Sequence, residues 1–239
     1  PHHTARLLAC QAPHSGDWLN AWPISNCGLR LDDEAIRVAI GLRLGVNLCA
    51  PHVCPCSTLV DAGGTHGLSC RRSSARIIRH GLINDLVYRA FVKAKIPASK
   101  EPLGLNRVDG KRPDGSTLIP WDGKCLTWDV TVPDTFAASH LQKTSRVAGG
   151  AAEEANSRNC DKYANIMLTH DFCAIACETM GPINESGLSL LKKLGHEISK
   201  ATGDPRETAF LLQRLSIIIQ RGNSMAFSNS FREGEGNDS

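Results

Sequence analysis

Two acids and a knot of cysteines carry most of the chemistry this sequence can do. Asp114 follows Pro113, and Asp129 lies beyond it with fourteen residues between them. A strand, a turn through Pro120 to Lys124 and a returning strand bring two such carboxylates to one place on a hairpin. Acids held close repel each other unless a cation sits between them. Mg²⁺ suits the pair, because it prefers oxygen ligands and needs only one or two carboxylates beside its waters and a phosphate oxygen. A metal held this way activates water and stabilises charge on a phosphate under attack. The setting of Asp129 is also unusual. In Trp128-Asp129-Val130-Thr131-Val132, strand alternation places the acid opposite Trp128, Val130 and Val132. Either that face is solvent and Asp129 is an exposed structural acid, or the acid has a purpose.

The second group is Cys54-x-Cys56-x9-His66-x3-Cys70. Three thiolates and one imidazole make a closed tetrahedral zinc site, which is structural or a nucleic-acid contact because no coordination position is left open for chemistry. Gly63, Gly64 and Gly67 let the chain bend tightly around an ion. Zinc would supply folding energy to a segment poor in apolar residues. Cys49 and His52 are alternative ligands within the same stretch, and scattered free thiols are the alternative to a site. Cys125, Cys173 and Cys177 fall in strand-like runs and read as small buried residues.

These groups sit in an ordinary globular composition of 239 residues, with 41% hydrophobic and 21% charged residues. Ten cysteines without a secretory signal favour a reducing compartment and metal binding over a disulfide framework. No apolar run is long enough to cross a bilayer, so no membrane partner is expected. The chain starts without Met and reads as a fragment of something longer. The net charge of +3 is modest, but its distribution is not. Between Arg71 and Lys100, Arg71, Arg72, Arg76, Arg79, Arg89, Lys93, Lys95 and Lys100 face a single acid, Asp85. Such a strip attracts phosphates, or else it is a solvated helix face.

The elements that must position these residues follow from periodicity. Residues 1–48 read as a linker or helical lead-in to a missing upstream region, with a helix from Asp32 to Leu44 on which Ile36, Ile40 and Leu44 recur at four-residue spacing. Trp18 and Trp22 either anchor that connection or pack locally. Residues 49–73 form the zinc segment. A long helix over 74–94 carries Ile78, Leu82, Leu86 and Phe91 on one apolar face, with its arginines largely off it. Strands follow at about 98–102, 112–119 and 125–132. A helical region at 151–168, a strand at 172–178 and helices at 186–201 and 205–221 complete a domain spanning 74–228. The Gly-, Asn- and charge-rich residues 229–239 read as a disordered tail. This order predicts an α/β fold, a mixed sheet flanked by helices behind a small N-terminal zinc-binding segment.

Lys111-Arg-Pro-Asp114 followed by Asp129-Val-Thr-Val132 resembles the PD-(D/E)xK motif of restriction-like nucleases. With Cys54-x-Cys56, His66-x3-Cys70, Arg79-His80, Lys100-Glu101-Pro102 and Lys162-Tyr163 in the same order, the stretch from about 49 to 180 resembles the C-terminal end of site-specific non-LTR retrotransposon proteins. There a zinc knuckle and a restriction-like endonuclease follow a reverse transcriptase. The resemblance implies a restriction-endonuclease-like fold that nicks DNA for target-primed reverse transcription. It implies Asp114 and Asp129 as ligands of Mg²⁺ (or Mn²⁺), Lys162 as the catalytic lysine, and Glu101 and His80 as further catalytic candidates. Arg71, Arg72, Arg76, Arg79, Lys111 and Arg112 become DNA contacts. Partners would be DNA, retroelement RNA and the upstream reverse transcriptase region, in a nuclear or intracellular setting. The chain departs from the pattern at two positions. Thr131 stands where the superfamily has its lysine, and Gly81 stands where the branch has an Asn after His80. No Tyr/Phe-x-Asp-Asp polymerase signature is present. The competing readings are a catalytically inactive nucleic-acid-binding remnant and a zinc-stabilised interaction domain.

Overall fold

The computed structural model describes residues 1–105, 110 and 112–231. Lys111, one of the expected DNA contacts, lies outside them, as does the stretch 232–239 of the expected tail.

Helices α1 (His2–Gln11) and α2 (Asp33–Leu44) come first. Asp32 starts α2 as an N-cap, its Oδ1 accepting from the Ala35 amide at 2.7 Å, and Gly45 ends it with left-handed φ. A short antiparallel ribbon of β1 (His52–Val53) and β2 (Leu59–Val60) precedes α3 (Ala75–Lys93). The main sheet joins β3 (Ala98–Lys100), β4 (Gly115–Thr117), β5 (Leu126–Thr131) and β6 (Asp171–Ala176), in that spatial order. The first two pairings are antiparallel and β5 with β6 is parallel. A parallel pair needs a crossover, which α4 (Ala138–Thr144) and α5 (Gly150–Lys162) supply. Helices α6 (Glu185–Thr202) and α7 (Glu207–Ser228) close the described chain. The protein is thus mixed α/β, with two small sheets and helices. None of its described helices is long and apolar enough to cross a membrane.

The sheet is covered on both faces. Leu126, Trp128 and Val130 of β5, with Cys173 and Ile175 of β6, bury against Ile83, Val87 and Phe91 of α3 and the leucine rows of α6 and α7. On the opposite face Ala152 and Ala155 of α5 pack on Ala176, and the Tyr163 ring lies 4.8 Å from that of Phe172. β5 is therefore covered over most of its length: the odd positions Thr127 and Asp129 are buried as well, and Thr131 at its end is half-buried.

Several expectations are corrected here. Ile36, Ile40 and Leu44 of α2 are exposed, and the buried face is Ala35, Val38, Ala39 and Leu42. Ile78 and Leu82 of α3 are also exposed, while Arg79 is buried. Small residues explain both shifts, since they let helices approach closely. Gly222 of α7 shows this directly, because a Cβ there would lie 2.5 Å from Arg79 Cδ. The buried guanidinium donates to Asn223 Oδ1 at 2.7 Å and to the Leu68 carbonyl at 3.3 Å. Burial pulls its pKa down to about 10, against the opposing pull of buried Asp134. Arg79 thus ties α3 to α7 and is not a surface contact for DNA.

The expected lead-in is packed into the body. Trp18, Leu29, Leu31, Ala35 and Ala39 surround Ile217 of α7, and the Trp18 amide donates to Ser216 Oγ at 3.2 Å. Trp22 by contrast is 75% exposed. Helices α1 and α4 add to the elements that periodicity predicts, and α7 runs past 221 to Ser228. The described start of the expected tail is also folded, with the Phe231 ring stacked on His52 at 4.1 Å and Asn229 Nδ2 3.2 Å from Ser73 Oγ.

Truncating Arg79 leaves Asn223 Oδ1 and a carbonyl without their donor and opens a cavity against Gly222. Arg79→Ala is therefore expected to lower stability by about 3 kcal/mol. That corresponds to a melting temperature lower by about 6–12 °C. A thermal melt within 2 °C or so of the parent would show that this buried cation is not a structural tie.

Candidate functional site

The zinc expectation places four side chains, and all four come together. The ligand atoms of Cys54, Cys56, His66 and Cys70 lie within 4.8 Å of one another. The Cys54 and Cys70 Sγ atoms are 3.7 Å apart, and Cys56 Sγ is 3.2 Å from His66 Nε2. Burial pushes the Cys54 thiol up to about 11, whereas hydrogen bonding from Thr58 brings Cys56 down to about 6. A cation among them would reverse the cost at Cys54 by favouring its thiolate. This Cys3His cluster can hold a structural metal such as zinc. The alternative ligands point elsewhere: Cys49 Sγ faces the carbonyls of Asp61 and Ala62, and His52 Nε2 lies 3.0 Å from Ser230 Oγ.

The segment around the cluster is built onto the end of α7. Any side chain at Gly67 would meet the Ala226 carbonyl at 2.5 Å, and one at Gly64 would meet the Phe227 ring. A metal held by this cluster and the end of α7 would therefore support one another. Elemental analysis of protein purified without chelator is expected to give one zinc per chain, and substoichiometric metal in Cys70→Ser. Stripping the metal should expose the segment to protease near residues 55–65. Full zinc retention in Cys70→Ser would remove it from the ligand set.

The acids meet in an open cavity of about 780 Å³ at the edge where β4 leads into β5. Asp114 precedes β4, and its position is set from both sides. Gly115 lies against the Trp128 indole so closely that a Cβ would sit 2.0 Å from it. Trp128 Nε1 donates to Asn84 Oδ1 at 2.9 Å, and Asn84 Nδ2 donates to the Asp114 carbonyl at 3.1 Å. Asp114 Oδ2 accepts from the Val130 amide at 2.6 Å, so its carboxyl lies beside the peptide that follows Asp129. The same oxygen accepts from His80 Nε2 at 3.0 Å. That bond raises the imidazole pKa, with Asp114 and Asp129 charges adding to it.

Asp129 is 8% exposed. Its Oδ1 accepts from the Tyr163 hydroxyl at 2.8 Å and its Oδ2 from Asn159 Nδ2 at 3.0 Å. Burial is the main cause that raises its pKa to about 6, and the nearby Asp114 charge raises it further. Tyr163, Lys162 and His80 act in the other direction. Lys162 Nζ donates to Asn159 Oδ1 at 3.2 Å. The exposed Glu101 and Arg112 line the same cavity, and the Glu101 amide donates to the Asp114 carbonyl at 3.0 Å.

Asp114, Asp129, His80, Lys162, Glu101, Arg71, Arg76 and Arg112 all border this one space. Arg72 is turned toward the zinc segment, donating to the Pro55 carbonyl at 2.8 Å. The later part of the basic strip is also drawn away: Lys93 pairs with Glu207 and Lys100 with Asp85. Sequence reasoning missed Asn159 and Asn84, and gave Tyr163 no role. The spacing Asn159, Lys162, Tyr163 is i, i+3, i+4, which puts all three on one helix face. No protein-family model matches the chain, and no curated protein matches it.

Because the folded-state pKa of Asp129 is raised to about 6, its charge costs nothing in stability below the ordinary value of 3.8. The cost grows as pH rises between those values and is complete above the higher one, on the order of 3 kcal/mol before rearrangement. Without added Mg²⁺, Asp129→Asn is expected to be more stable than the parent by about 1–2 kcal/mol at neutral pH. The advantage should disappear by about pH 4. Urea melts across that range check it; a gap independent of pH would contradict the assignment.

Proposed function

We propose that this chain is a metal-dependent DNA endonuclease of the restriction-like class, from a retroelement protein whose reverse transcriptase lies upstream. The observation that carries this reading is the convergence of Asp114 and Asp129 beside Lys162 on one open, arginine-bordered cavity. Their donor set fits Mg²⁺ or Mn²⁺, being hard carboxylate oxygen. Asp114 Oδ1 accepts no hydrogen bond among the described residues, and the charge on Asp129 is costly until a cation answers it. Asp114 and Asp129 would hold the ion. When bound, it supplies an activated water and neutralises charge on the phosphate.

The chain's own residues do the rest. Lys162 places a positive charge beside the scissile phosphate. His80 fixes one Asp114 oxygen, and Tyr163 and Asn159 fix both oxygens of Asp129. Arg71, Arg76 and Arg112 hold the DNA backbone through salt-sensitive contacts. The zinc segment joins α7 to the start of α3 and so sets where Arg71 and Arg76 stand. A second reading, a binding remnant without catalysis, draws support from Thr131 at the strand position where the superfamily has a lysine.

Nicking of supercoiled plasmid in Mg²⁺ separates the two. The nuclease reading expects nicking that is lost in both Asp114→Ala and Asp129→Ala and reduced on the order of 100-fold in Lys162→Ala. Salt-dependent DNA binding with no nicking at any Mg²⁺ or Mn²⁺ concentration would favour the remnant. Absence of both would leave only a zinc-stabilised interaction domain.

A further inference from the structure

We infer that Asn159 is a positioning residue that ties the Asp129 carboxylate to the Lys162 ammonium; the inference rests on the nuclease reading above. Asn159 is 4% exposed and every hydrogen-bonding group of its amide is engaged. One Nδ2 proton goes to Asp129 Oδ2 at 3.0 Å and the other to Thr131 Oγ1 at 2.9 Å. Its Oδ1 accepts from Lys162 Nζ at 3.2 Å. Only one orientation of the amide satisfies this set, since the reverse would set the oxygen against a carboxylate and the NH2 against an ammonium.

This arrangement accounts for Thr131. A lysine two residues after Asp129 would bring a cation to the site from β5 itself. Here the position offers a hydroxyl that anchors Asn159, and the cation arrives from α5 instead. Lys162 is exposed, and its flexible stem lets the ammonium sweep a wide volume. Asn159, one helical turn before it, gives that ammonium a fixed point beside Asp129. The residue need not touch the substrate; it acts through the two groups that do.

The test is a double-mutant cycle in plasmid nicking on the full chain, with Asn159→Ala, Lys162→Ala and the pair. Asn159→Ala is expected to lower kcat about 10–100-fold, as a misplacement near 1 Å does, with KM for DNA within about twofold. The same substitution in the Lys162→Ala background should cost less, because one of the two groups through which it acts is gone and only its hold on Asp129 remains to be lost. Free Mn²⁺ followed by its EPR signal, with no DNA present, gives a reading independent of turnover. Asn159→Ala should weaken Mn²⁺ binding several-fold through Asp129, and Lys162→Ala should not. Multiplicative losses in the cycle, an effect confined to KM, or unchanged Mn²⁺ affinity in Asn159→Ala would each overturn the inference. If Asn159→Ala does not fold, Thr131→Val releases one anchor with little change of shape. Its expected loss of a few-fold must likewise shrink in Lys162→Ala, and a multiplicative loss overturns the claim. No nicking by the unsubstituted chain removes the nuclease reading and this inference together, whereas nicking with multiplicative losses removes the inference alone.

Discussion

A carboxylate in the middle of a strand covered on both faces has to be answered by hydrogen bonds, by a cation, or by protonation. Asp129 poses that demand, and much of the surrounding architecture meets it. Helix α5 lies across the β5–β6 face with alanines beneath it, close enough for Asn159 and Tyr163 to reach both oxygens. The parallel pairing of β5 with β6 is what makes this possible. It requires a helical crossover, and the crossover helix is the one that carries Asn159 and Lys162 and ends at its C-cap Tyr163.

The other half of the site depends on a different contact. Gly115 lies under the Trp128 ring, Trp128 binds Asn84, and Asn84 binds the backbone of Asp114. One chain of contacts thus links the packed face of the sheet to the acid on its rim. It also brings His80, one turn before Asn84 on α3, within reach of the Asp114 carboxyl. The two acids arrive from separate supports, and the Val130 amide is where those supports meet.

Features set by neighbouring residues are legible in this sequence, and those set by distant contacts are not. The strand of Val130 and its neighbours, the helix that ends at Leu44 and the Cys54-to-Cys70 spacing each depend on residues close in the chain, and the structure contains each of them. The Pro-Asp and mid-strand Asp pairing was legible for the same reason, as a hairpin is a local object. The buried faces of α2 and α3 were not. Ile36 and Ile78 are apolar and periodic, yet Ala35 and Arg79 are the buried residues because α7 approaches closely there. Nothing near Arg79 in sequence announces Gly222 or Asn223. Asn159 was invisible for a related reason: a polar residue in a helix looks solvated until the strand it faces is known.

Helix α7 begins beside α6, passes α3 at Gly222 and ends on the cysteine-rich segment at Ala226 and Phe227. The Cys3His cluster is therefore no bead on a string ahead of a self-sufficient unit. It is a clasp around the far end of the helix that organises the interior, so a boundary drawn at residue 74 cuts through shared packing. Shuffling by recombination would have to carry the clasp and the helix as one inheritance, although 137 positions separate Cys70 from the first residue of α7.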